Sequence, residues 1–392
     1  MIVSINPYTG RELARFEPHS RAVIDFALSA AVVAQARWRE IPLVERAGLL
    51  RRMALVLRAG KAKYARLITL EMGKPLSESE AEIDKCAWNC EFYANEAPRL
   101  LADEPVASGA TESAVVFDPL GVLLAIMPWN YPFWQFFRFA APAFVAGNGA
   151  ILKHANNVPQ CALAIEEIVR EAGCPHGLFR TLLIGASEVA ALIEDERIAA
   201  VTLTGSTQVG RIVAAQAGRA LKKQVLELGG SDPFIVLADA DVDAAAAVAV
   251  KARFINAGQS CVNAKRFLVE ESVAEQFIAA FCTGVKRLKA GDPMERDTQI
   301  GPLARANLRD DLHRQVERSV AAGAALRLGG SPVAGEGFAY QPTVLDNVQP
   351  DMAAFCEETF GPVAAVTRVT NADTAVRLAN QSDFGLGASL SS

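Results

Sequence analysis

Val122-Leu123-Leu124-Ala125-Ile126-Met127-Pro128-Trp129-Asn130-Tyr131-Pro132 is the stretch on which the fold turns. Six apolar residues without alternation read as a strand covered on both faces, and the proline and asparagine that follow stop it in a turn. The same unit recurs downstream. Apolar strands at Ala150–Lys153, Phe179–Ile184, Ala200–Leu203 and Gln224–Leu228 alternate with helical stretches at Trp134–Ala146, Pro159–Glu171, Ala186–Ile193 and Gln208–Ala217. That alternation predicts a parallel sheet sandwiched by helices. Ligands of such sheets bind at the carboxyl ends of the strands, and Asn130, Lys153, Gly205-Ser206 and Glu227 all fall there.

Upstream, residues 20 to about 105 read as helical, with apolar positions every three or four residues through Val44–Leu70 and again near Cys86–Ala97. The segment 107–121 reads as a hairpin arm, alternating through Ser113-Ala114-Val115-Val116-Phe117 and stopped by Asp118-Pro119. Downstream, a second alternating set runs through strand Phe234–Leu237, helix Val242–Asn256, strand Phe267–Val269, helices Val273–Leu288 and Ala306–Ala322, and strands Pro342–Val348 and Val363–Val369. The fold class is therefore α/β, with two parallel-sheet lobes and a small hairpin arm. The expected division is 1–106 with 122–227 as one domain, 107–121 as the arm and 228–392 as the second domain, with the active site in the cleft between lobes.

Bulk properties exclude several classes. The 392 residues carry a net charge of −5, which provides no basic field for nucleic acid. Val122–Met127, the most apolar run, is too short to span a bilayer, and Met1–Asn6 shows neither a basic leader nor an apolar signal core. Seven cysteines form no disulfide framework and suit a reducing cytoplasm. Cys86 and Cys90 lack a second pair, and the four histidines are scattered, so no metal site is expected.

Three residues carry candidate chemistry. Cys261 follows the turn Asn256-Ala257-Gly258-Gln259-Ser260 and is a candidate nucleophile. Glu227 lies between Leu226 and Leu228 and is a candidate base, with a pKa that apolar neighbours would raise; Asn130 offers an amide donor. Each has a plainer reading: a buried cysteine, a turn carboxylate, an ordinary residue before proline. Nucleophile, base and oxyanion donor together are what acyl chemistry requires.

Pro128-Trp129-Asn130, Leu203-Thr204-Gly205-Ser206, Glu227-Leu228-Gly229-Gly230, Gly258-Gln259-Ser260-Cys261, Glu357-Glu358-Thr359-Phe360-Gly361-Pro362 and Glu71-Met72-Gly73-Lys74-Pro75 stand in the order and spacing of the aldehyde dehydrogenase superfamily, which the whole chain resembles. Within it, the chain is similar to bacterial succinate-semialdehyde dehydrogenases that carry Lys-His-Ala after the second sheet strand. The resemblance implies a first cofactor-binding domain, a hairpin that serves oligomerisation, a catalytic second domain and a homodimer or homotetramer. It implies that Cys261 attacks the aldehyde, that Asn130 and the Cys261 N–H hold the oxyanion, and that Glu227 activates water against a thioester. It further implies that Trp129, Asn130, Lys153, His154, Ala155, Asn156, Gly205, Ser206, Leu228, Glu358 and Phe360 bind NADP or NAD. Arg138 would hold the far carboxylate of a small aldehyde acid such as succinate semialdehyde.

The residue three after Lys153 is Asn156, where members strict for NAD tend to carry glutamate, so both cofactors are expected with a lean to NADP. Ile255 stands where some of these enzymes carry a second arginine. The resemblance also implies a family C-terminal segment of about sixty residues beyond Ser392 that this chain lacks. The alternatives are another semialdehyde or small aliphatic aldehyde as substrate, or an inactive truncated paralogue.

Overall fold

Residues 1–392, all described by the computed structural model, form two units. One comprises Met1–Ile5, Glu12–Glu71 and Ser79–Leu228; the other comprises Asn6–Arg11, Met72–Glu78 and Gly229–Ser392.

The first unit opens with an antiparallel pair, β1 (Ile2–Ile5) and β2 (Glu12–Phe16), and the helices α1 (Arg21–Trp38), α2 (Leu43–Ala59), α3 (Lys61–Met72) and α4 (Leu76–Leu100). A two-residue ladder pairs β3 (Glu104–Pro105) with β4 (Ala114–Val115), and Val115, Val116 and Phe117 there are exposed. Next come β5 (Val122–Met127), α5 (Trp134–Val145), β6 (Gly149–His154), α6 (Pro159–Glu171), β7 (Phe179–Thr181), α7 (Val189–Glu194), β8 (Ile198–Thr204), α8 (Thr207–Arg219) and β9 (Lys223–Glu227). The five strands form a parallel sheet in the order β7-β6-β5-β8-β9.

Strand β5 is buried along its whole length because both faces are covered. Leu124 and Ile126 pack with Ile151, Val201, Leu203 and the α1 residues Ile24 and Leu28, whereas Leu123 and Ala200 pack with Phe139 and Ala143 of α5 on the other face. Period-two side-chain alternation makes this possible without a polar face. Register pairs Met127 with His154, Ile126 with Leu203 and Thr204 with Glu227, so these strands end together.

Two buried carboxylates hold helix starts in this unit. Glu71 accepts from the N–H groups of Gln160 and Cys161 at the head of α6, and from the Ser4 hydroxyl. Glu82 accepts from the N–H groups of Phe133 and Trp134 at the head of α5. Each meets N–H groups with no partner inside their helix and the positive end of its dipole. The Glu71 motif thus has a structural reason to exist.

The second unit contains β10 (Asp232–Val236), α9 (Val242–Phe254), β11 (Ala264–Glu270), α10 (Glu271–Lys286), α11 (Ala306–Ala321), β12 (Ala325–Leu328), β13 (Thr343–Asp346), α12 (Ala353–Cys356), β14 (Val363–Val369), α13 (Ala372–Ala379) and β15 (Ser389–Ser391). Its sheet runs β12-β13-β14-β11-β10-β15, parallel except for the β12–β13 pair. Phe267 and Val269 of β11 face a core built with Phe277 and Phe281, while Leu268 faces a second core with Leu312 and Leu345. Segments Gly229-Gly230, Cys261 and Glu358–Phe360 precede β10, β11 and β14, so in this unit they gather at the amino ends of parallel strands.

Candidate active site

In the first unit, the turn after β5 carries Trp129 and Asn130, both buried. His154, at the end of the neighbouring strand, holds that turn. Its Nδ1 accepts the Ala155 N–H at 2.8 Å, so Nε2 carries the proton and donates to the Pro132 carbonyl at 2.9 Å. Burial pushes its pKa down to about 4. Both ring nitrogens are thus committed to the turn that carries Trp129 and Asn130.

Helix α5, started by Glu82, projects Arg138 toward the ends of β8 and β9. The guanidinium donates to Thr204 Oγ1 at 3.2 Å and stands 3.5 Å from Glu227 Oε1. A pocket of about 690 Å³ opens here, lined by Leu123, Met127, Arg138, Phe139, Pro142 and Glu227 among others. Glu227 is not enclosed by its flanking leucines: its side chain is 37% exposed. Neighbours on a strand point to opposite faces, so Leu226 and Leu228 pack into the core behind the sheet while Glu227 faces Arg138.

Lys153 donates to Asn156 Oδ1 at 3.2 Å, and burial lowers its pKa to about 8. Gly205 donates its N–H to the Glu227 carbonyl, and Ser206 caps α8, its hydroxyl accepting from the Val209 N–H. Behind them Gly210 lets α8 lie directly on Leu228, since a Cβ there would come within 2.4 Å of the leucine Cδ2. Val209 and Ile212 remain exposed on α8.

In the second unit, α9 ends at Phe254 and the chain enters three successive left-handed residues: Asn256 at φ 55°, Ala257 at φ 50° and Gly258 at φ 73°. Only glycine fits the last, because a Cβ there would stand 2.2 Å from the Gly361 carbonyl oxygen. Side chains fasten this strained turn. Asn256 Nδ2 donates to the Gln259 carbonyl, Gln259 Oε1 accepts the Ala304 N–H, and Glu78 Oε2 accepts the Asn256 N–H. Cys261 follows it, partly exposed.

Glu358 Oε1 accepts from the Gly230 N–H at 3.1 Å and from Lys265 Nζ at 2.8 Å. Arg253, 0% exposed, donates to the carbonyls of Thr359, Gly361 and Val363 and so holds the segment that carries Glu358 and Phe360. A pocket of about 400 Å³ beside this segment is lined by Leu308, Asp311, Gln315, Glu358 and Phe360. Gln315 Nε2 donates to Glu357 Oε2 and to the Glu358 carbonyl.

The structure therefore brings Arg138, Thr204 and Glu227 together in one unit and Cys261, Gly230, Lys265, Glu358 and Arg253 together in the other. Lys265, Arg253, Gln315, Glu82 and Thr204 were not singled out by sequence reading. A lysine and an arginine breaking apolar stretches were the available signal for the first two. Within the first unit the residues fit a dinucleotide: a capped helix start, an exposed apolar face at Val209 and Ile212, and a buried lysine.

The whole chain, residues 1–392, matches the model of the aldehyde dehydrogenase family. Over 388 residues it is 50% identical to a probable succinate-semialdehyde dehydrogenase (NADP+) of Synechocystis sp., covering 99% of this chain and 86% of that protein. It is 48% identical over 388 residues to a succinate semialdehyde dehydrogenase (NAD(P)+) of Escherichia coli, covering 99% and 84%. The crystal structure of succinic semialdehyde dehydrogenase from Streptococcus pyogenes with NADP+ superimposes with a TM-score of 0.97 at 36% identity, covering 100% of this chain and 86% of that one.

Proposed function

The chain belongs to the aldehyde dehydrogenase family, and we propose that it oxidises succinate semialdehyde to succinate with NADP, accepting NAD as well. The observation that carries the substrate is Arg138, a guanidinium set beside Glu227 in an otherwise largely apolar pocket. A planar fork of donors suits a carboxylate at the far end of a short aldehyde.

Cys261 adds to the aldehyde carbon, and the oxygen gains a negative charge that the Asn130 amide and the Cys261 N–H stabilise. Bound NADP supplies the acceptor for the two electrons and the hydrogen lost from that carbon. Glu227 takes a proton from water, the water oxygen bonds to the thioester carbon, and the carbon–sulfur bond breaks to return the thiolate. Lys153 and Asn156 would hold the adenosine ribose, and a neutral Asn156 beside a cationic lysine admits a 2′-phosphate. Ser206 and Gly205 would face the pyrophosphate at the start of α8, and Glu358 would hold the nicotinamide ribose with Phe360 against the ring.

Ile255, 40% exposed where a second arginine would stand, favours a second reading in which uncharged short aldehydes also turn over. Self-assembly through the exposed Val115–Phe117 arm fits the same picture, as does a reducing compartment for seven free cysteines. Initial rates with succinate semialdehyde and butyraldehyde, with each cofactor, test the reading. Arg138→Gln should lower kcat/KM for the acid by on the order of tenfold or more while changing butyraldehyde little. Equal loss on both substrates would remove the substrate assignment.

A further inference from the structure

We propose that Lys265 is a positioning residue that locks the nucleophile turn and the Glu358 arm into one register. The proposal rests on the reading that Glu358 holds the nicotinamide ribose.

Lys265 is the second residue of β11, four after Cys261, and its flanking strands are β10 and β14. Its side chain is 0% exposed, and its ammonium makes three bonds with its three protons. Nζ lies 2.5 Å from the Gly230 carbonyl, 3.2 Å from the Cys261 carbonyl and 2.8 Å from Glu358 Oε1. One atom therefore ties the segments leading into three adjacent parallel strands. The Phe360 ring lies 5.6 Å from the same nitrogen.

The bonds to Glu358 are one-sided. Lys265 and the Gly230 N–H both converge on Oε1, while Oε2 lies over Gly229, where a Cβ would come within 2.4 Å of it. Two donors anchor one oxygen, which would leave the other to take a hydroxyl from one direction. Burial pulls the lysine pKa down, and Glu358 pushes it back up. Stability alone is a poor reason for this lysine, since a buried ion pair returns little over an apolar residue of the same volume. A methionine would fill the space but leave the carboxylate on the Gly230 N–H alone and free the Cys261 carbonyl.

The test compares Lys265→Met, Glu358→Gln and the double variant. Each is assayed for KM of NADP, kcat, NADPH binding by fluorescence and melting temperature. Lys265→Met should raise the KM for NADP about tenfold, and Glu358→Gln should do the same. The double variant should match Glu358→Gln in cofactor affinity, because the lysine acts through the glutamate, and should regain melting temperature lost by Lys265→Met, because no unpaired charge remains. The double variant also serves if Lys265→Met fails to fold. A double variant much weaker for cofactor than Glu358→Gln overturns the proposal. So does a Lys265→Met enzyme that loses melting temperature only, while Glu358→Gln is impaired. If Glu358→Gln itself leaves the NADP constants unchanged, the ribose reading of Glu358 falls, and this proposal with it.

Discussion

The two units hold their candidate functional residues at opposite ends of their sheets, and the fully buried charges that brace them differ in sign. In the first, Asn130, Lys153, Gly205 and Glu227 lie at or just beyond the carboxyl ends of strands, where the chain turns into helices. Those helix starts are held by buried carboxylates, Glu71 and Glu82. In the second, Gly230, Cys261 and Glu358 precede their strands. Here the free groups are carbonyls, and buried cations hold them: Arg253 on Thr359, Gly361 and Val363, Lys265 on Gly230 and Cys261, and Arg266 on Ser231, Leu378 and Ala379. A helix start offers N–H groups and suits an anionic phosphate. Segments that flank a strained turn and enter parallel strands offer carbonyls, which suit buried cations instead.

The largest expected effect separates the two halves outright. Cys261→Ala should lower kcat by on the order of 10⁴ or more, yet leave NADPH binding within a few-fold, because the covalent step is lost and the first unit is untouched. Substantial oxidation by that variant would remove Cys261 from the chemistry.

The bracing contrast breaks if matched substitutions cost the same. Arg253→Met frees three buried carbonyls and should cost about 3–5 kcal/mol. Glu82→Gln keeps an acceptor at the head of α5 and should cost only about 1 kcal/mol. Urea midpoints measure both, and similar losses would erase the distinction.

Within the first unit, Asn156→Glu should lower the NADP-to-NAD ratio of kcat/KM by on the order of tenfold, since a carboxylate would meet a phosphate of like charge. An unchanged ratio would move the ribose away from the Lys153–Asn156 turn. The smallest effect is in pH. Burial holds the Lys153 ammonium at about 8, so its positive charge is present below that pH and lost above it. KM for NADP should therefore rise a few-fold between pH 7 and 9, and KM for NAD less. Parallel pH profiles for the two cofactors would show that Lys153 does not sense the phosphate.

Much of the first unit was legible because its strands are nearly unbroken apolar runs. Val122–Met127 and Pro159–Glu171 have the bounds that pattern predicts, and so does Val363–Val369 in the second unit. The strand Phe179–Ile184 stops early, at Thr181, and β12, α12 and α13 went unread because they are too short for a period to show. The site was legible where a motif sits next to a strand end. Glu227 stands open to Arg138 although two leucines flank it, since neighbours in sequence occupy opposite faces of a strand. The cations were missed because Lys265 meets Glu358 across 93 residues and Arg253 meets Gly361 across 108. No local pattern encodes such pairings.

Gly258 rests directly against the Gly361 carbonyl, and a Cβ on Gly361 would in turn strike Leu312 at 2.5 Å. Three stretches of chain separated by dozens of residues thus meet through two close contacts, the first of them backbone on backbone. For anyone building chimaeras between relatives, residues 256–261, 358–362 and the Leu312 turn of α11 form a single inheritance block. A crossover that swaps one of them alone would import a backbone offset directly into the position of the thiol.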